Sequence, residues 1–122
     1  MLPPLLIRIA ALLAFAGVAL GAFGAHGLKD LLAEKGTAQA WEKAVFYHLI
    51  HALAVLVISG WQPAPKGPAY CFLAGIFVFS GSLYVLAVTG IKGLGAITPL
   101  GGVAFLMGWF WLAFRRSVDS KS

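Results

Sequence analysis

Acidic residues are missing where the sequence is most apolar. Between Glu42 and Asp119 there is no Asp or Glu, and the whole 122-residue chain holds only four. The gap excludes a paired-carboxylate general acid and base from the body of the chain. It also excludes the embedded carboxylate that a small proton-coupled exporter needs. Cysteine is scarcer still. Cys71 stands alone, so neither an internal disulfide framework nor a cysteine metal cluster is available. Charged residues make up 11% of the chain and hydrophobic residues 61%. A soluble domain carries about a quarter charged residues, so nine bases and four acids cannot cover a water-exposed surface. No HExxH, phosphate-binding glycine loop or nucleophile–base–acid set occurs. The net charge of +5 is scattered and does not interleave with aromatics, which excludes nucleic acid as the expected partner and favours lipid headgroups.

What is present is long apolar runs. Leu5 to Ala25 is interrupted only by Arg8 and gives about 31 Å of helix, enough to cross a bilayer. A cleaved leader is the other reading of this run, with small residues at 22, 24 and 25 as the processing site. The run is longer than a leader core, however, and Arg8 lies inside it rather than before it. Further runs cover Ala44–Gly60, Ala69–Val88 and the segment after Pro99. They predict an all-α integral membrane protein: one domain, residues 1–122, with four transmembrane helices in an antiparallel bundle. The helices are placed at about 4–25, 38–60, 68–89 and 98–116. A polar loop occupies 26–37, with room for a short interfacial helix, and a short tail 117–122.

Turn chemistry sets the boundaries. Gly36 ends the loop piece and Thr37 is placed as the cap of the second helix. Trp41 and Tyr47 are expected near the headgroups. WQPAPKGP (61–68) cannot continue a helix. Gly90–Ile97, GIKGLGAI, breaks the third run, and Thr98-Pro99 reads as a cap followed by a first-turn proline. Four spans put both termini on one side, with Arg8, Lys66, Arg115, Arg116 and Lys121. Lys29, Lys35, Lys43 and Lys92 lie on the other. That bias orients the termini to the cytoplasm.

The unusual residues are His26, His48 and His51, with Tyr47, Ser82 and Tyr84. His48 and His51 are three apart and share a helix face. All six are expected at the loop end of the bundle, near GIKGLGAITP. His26 is expected to be neutral and hydrogen-bonded there. The histidines would pair with carbonyls, tyrosines or serines; the alternatives are a small-molecule or proton conduit, or a metal or haem site. No catalytic, cofactor or metal-binding residue is assigned. Gly17, Gly21 and Ala25, with Ala104 and Gly108, form small-residue stripes expected at helix contacts.

ALGAFGAHGL (19–28), YHLIHALAVL (47–56), FSGSLYVLAVTG (79–90) and ITPLGGVAFLMGW (97–109) occur in that order. The sequence thereby resembles a small membrane-protein family of unknown function that includes transmembrane protein 256, its bacterial members forming domain of unknown function 423. The resemblance implies four transmembrane helices in a bacterial inner membrane or an organellar membrane, and histidines at 26 and 51, with a variable polar residue at 48. It implies no activity. The expected role is a non-enzymatic packing or accessory protein of the bilayer, acting as a homo-oligomer or as a subunit of a larger membrane complex.

Overall fold

In the computed structural model, residues 1–116 are described, and every regular element among them is helical. The helices are α1 (Leu5–Ala25), α2 (Lys29–Lys35), α3 (Ala38–Ser59), α4 (Lys66–Thr89) and α5 (Thr98–Phe114). A 3-10 turn, Lys92–Ala96, precedes α5 and extends the fourth apolar segment to Lys92–Phe114. Four segments are therefore long and apolar enough to cross a membrane. The expected tail at 117–122 lies outside the described residues. The last helix stops at Phe114 rather than 116, because Arg115 is already extended with ψ 144°.

Within the polar stretch, Lys29–Lys35 forms the short helix for which the sequence left room. Asp30 in the first turn and Lys35 in the last suit the helix dipole of α2. Leu32 is buried, and Gly36 closes the helix at φ 67°, a left-handed conformation that glycine adopts without strain. Two expected caps work differently. Thr37 sits at the start of α3, but its hydroxyl donates across the bundle to the Ala87 carbonyl at 2.7 Å. Thr98 is the first residue of α5, with no capping bond, and its hydroxyl pairs with that of Ser82. Both hydroxyls tie helices together instead of closing their own.

The dominant contacts run α1 on α3, α3 on α4 and α4 on α5. α3 is the hub, and α1 and α5 are the outer helices. The α1–α3 contact is built on small residues. A Cβ on Gly17 would lie 2.5 Å from Leu49 Cδ2, and one on Gly21 would lie 3.3 Å from Val45 Cγ1. Gly24, not Ala25, completes this stripe and receives the Trp41 indole; Ala25 is exposed. The helical period explains the shift: a step of seven residues returns to the same line within about 20°, whereas a step of eight overshoots by about 80°. Trp41 is therefore buried against α1 rather than placed among headgroups.

The α4–α5 contact interleaves rings and glycines in antiparallel register. Phe72 packs on Gly108, Phe105 on Gly75, and the Phe79 backbone on Gly101. Ala104 is half-buried. Between Gly75 and Gly81, α4 widens into a π turn, Ile76–Ser80, in which the Gly81 N–H reaches the Ile76 carbonyl.

This arrangement places the first loop and the chain's last described residues on opposite membrane faces. In a Cys71→Ser background, single cysteines at Lys35 and Arg116 are expected to react with an impermeant thiol reagent from opposite sides of sealed vesicles. Labelling of both from one side would contradict the four-span fold.

Candidate functional site: the buried histidine layer

Two apolar clusters fill the bundle. One contains Val55, Phe72, Ile76 and Phe105; the other contains Leu32, Trp41 and Ala87. His48, His51 and Ser80 are buried as well, the two rings each 3% exposed. The two histidines lie at mid-depth, not at the loop end expected from the sequence. His48 reaches Leu13, the ninth of the 21 residues of α1. The cause is the α1–α3 register, in which Trp41 already sits beside Gly24 and Leu49 beside Gly17.

Uncompensated polar groups at this depth are costly, and each ring is fully compensated. His48 Nε2 lies 2.7 Å from the Leu13 carbonyl oxygen, and Nδ1 lies 2.7 Å from the Tyr84 hydroxyl. A carbonyl only accepts, so Nε2 carries the hydrogen. Glu42, the one acid of α3, is exposed near the start of that helix, and no other follows before Asp119. With no acid beside the ring to balance an imidazolium, the neutral ring leaves Nδ1 as acceptor for Tyr84 O–H. His51 has the opposite tautomer. Its Nδ1 donates to the Tyr47 carbonyl at 2.8 Å, while Trp109 Nε1–H donates to Nε2 at 2.9 Å. Indole N–H cannot accept, so this assignment is forced. The His51 ring also stacks on Phe105 with centroids 3.6 Å apart and planes 11° apart.

The same logic extends along α3. Trp41 Nε1–H donates to the Leu20 carbonyl at 2.9 Å, and Ser80 Oγ donates to the Ala44 carbonyl at 2.7 Å. Ser82 Oγ donates to the Phe79 carbonyl at 3.0 Å. Buried donors thus reach across to main-chain oxygens of neighbouring helices, or along their own helix.

His26 stands apart. Its backbone caps α1 through Ala22 and Phe23, and its side chain is exposed. The bond expected of it at this end is made by Trp41, whose indole fills the Gly24 notch and serves a late α1 carbonyl. Tyr47 contributes its carbonyl to His51 and its ring to Phe79, with centroids 4.8 Å apart. Trp41, Trp109, Thr37 and Ser80 were not among the candidates from the sequence. Trp41 had a readable signal, lying seven residues before His48 on the same face.

The three histidines do not converge on one point. Among the described residues no three His, Cys, Asp or Glu side chains are grouped so as to hold a metal ion.

The model of the family described as "Protein of unknown function (DUF423)" matches residues 20–102, most of the chain. The chain belongs to the DUF423 family. It is 45% identical over 112 residues to the UPF0382 membrane protein YwdK of Bacillus subtilis, covering 87% of this chain and 90% of that one. It is 47% identical over 112 residues to a UPF0382 membrane protein of Staphylococcus aureus, covering 88% and 91%. A Staphylococcus epidermidis relative is 48% identical over 110 residues, covering 87% and 89%. No solved structure matches. This DUF423 chain is therefore an integral membrane protein whose bacterial relatives carry membrane names and no named activity.

Proposed function

We propose that this DUF423 protein is a non-enzymatic accessory component of the bacterial inner membrane. It works as a homo-oligomer or as a subunit of a larger membrane complex. The observation that carries this reading is the saturation of the buried polar layer. Both ring nitrogens of His48 and His51 are spent on partners within the chain, so the bundle interior offers neither ring as a base or a ligand. The outer helices supply surface for assembly. Leu12, Phe15 and Val18 of α1 are exposed, as are Leu106, Phe110 and Phe114 of α5. Lipid covers such faces in a monomer, and a neighbouring helix covers them in a complex. The charge bias favours termini in the cytoplasm.

The test is recovery from native membranes in mild detergent, followed by size and composition. The expected result is a discrete species larger than one chain, either self-associated or with a fixed partner. A monomer that carries a proton flux in liposomes, lost in His48→Gln, would overturn the proposal in favour of a conduit.

A further inference from the structure

A cleft of about 660 Å³ opens between α1, α2 and α3 on the first-loop side of the membrane. Its walls are apolar, small on the α1 and α2 sides with Gly21, Gly24, Ala25 and Ala33, and bulkier on α3 with Val45, Phe46 and Leu49. Trp41 forms the floor, fixed by its bond to the Leu20 carbonyl and by the Gly24 notch. The floor is therefore formed before anything binds. The two charged residues lining the cleft have opposite sign, Lys29 at the start of α2 and Glu42 in the second turn of α3. Both are exposed. From Ala38 down to Leu49 the cleft follows about 16 Å of helix, the depth of a headgroup and the first part of an acyl chain.

We propose that this cleft binds a phospholipid whose headgroup carries both a phosphate and a free amine. The chemistry follows from the charges. Lys29 attracts the phosphate, and Glu42 attracts the ammonium. A headgroup that is only anionic would satisfy Lys29 but face the Glu42 carboxylate. A purely apolar occupant would leave both charges without a use. The acyl chain then runs between Gly21 and the Val45–Leu49 wall, where the glycine leaves it room. Bound there, the lipid fills the gap beside the α1–α3 contact. The proposal stands apart from the question of protein partners, since it needs only one chain and the bilayer.

The probes are phosphatidylethanolamine and phosphatidylglycerol with identical acyl chains, offered in equal amounts to the full chain in mild detergent. Bound lipid is read by native mass spectrometry. The wild type is expected to retain the amine lipid over the anionic one by about fivefold, the scale of one exposed ion pair. Glu42→Gln is expected to abolish that preference, and Lys29→Gln to weaken both lipids. Ala25→Leu narrows the cleft from an exposed position and should reduce retention with an unchanged melting temperature. Soluble glycerophosphoethanolamine at millimolar concentration should not displace the bound lipid, because it lacks the chain. Equal retention of the two lipids by the wild type would overturn the proposal without any variant. So would preference for the anionic lipid, a preference that Glu42→Gln leaves intact, or displacement by the soluble headgroup.

Discussion

Gly101→Ala is expected to cost about 3 kcal/mol of stability, while Gly102→Ala, one residue along, changes it by less than about 1 kcal/mol. The difference lies in what the added methyl meets. At Gly101 it would collide with the main-chain nitrogen and Cα of Phe79. Main chain inside a helix cannot swing aside as a side chain can, so α4 and α5 must separate. That separation also loosens Phe105 from Gly75 and Phe72 from Gly108, the two ring-on-glycine contacts in the same register. At Gly102 the nearest atom is Phe79 Cδ2 at 3.8 Å, an ordinary contact. Alanine there gains helix propensity and loses nothing. Thermal unfolding of the two variants in one detergent makes the comparison. Equal melting temperatures would show that the two helices do not meet at Gly101.

His48→Ala is expected to cost about 3 kcal/mol, and most of that is packing. Removing a buried ring of this size leaves a cavity worth several kcal/mol, whereas hydrogen bonds between membrane helices average about 0.6 kcal/mol and reach about 1.7. The bond is therefore better isolated by a cycle than by truncation. Tyr84→Phe removes the donor to Nδ1, and His48→Leu removes the acceptor. The double variant removes both, leaving no orphaned group between them. The pair should be less damaging than the sum of the singles by about 1 kcal/mol. Strict additivity would mean that Tyr84 and His48 do not share a proton.

Four spans were legible because a bilayer demands long apolar helices, and Leu5–Ala25 and the runs after Ala44, Ala69 and Pro99 have few other uses. Helix α2 was legible in outline, since its leucines and flanking charges are amphipathic. Depth was not legible. The sequence places His48 and His51 by counting from the edge of an apolar run, but their level is set by Gly17, Gly21 and Gly24 docking on Leu49, Val45 and Trp41. For the same reason Trp41 read as a headgroup anchor. Its burial depends on a notch contributed by a residue seventeen positions earlier. The π turn at Ile76–Ser80 has no sequence signature; it lies where the main chain of Phe79 meets Gly101, a contact between residues twenty-two positions apart. The polar partners of the histidines were readable as a class: carbonyls, tyrosines and serines. Leu13, whose contribution is only a carbonyl oxygen, has no side-chain signal that any reading could detect. His26 misled because a histidine at a helix end reads as a capping donor, and the helix end turned its ring outward.

The buried histidines are neutral clasps with fixed and opposite protonation. Ring nitrogen-15 chemical shifts of the full chain in lipid, assigned through His48→Gln and His51→Gln, test it directly. Two neutral imidazoles are expected, His48 with its hydrogen on Nε2 and His51 with its hydrogen on Nδ1. An imidazolium at either position, or the same tautomer at both, would contradict it.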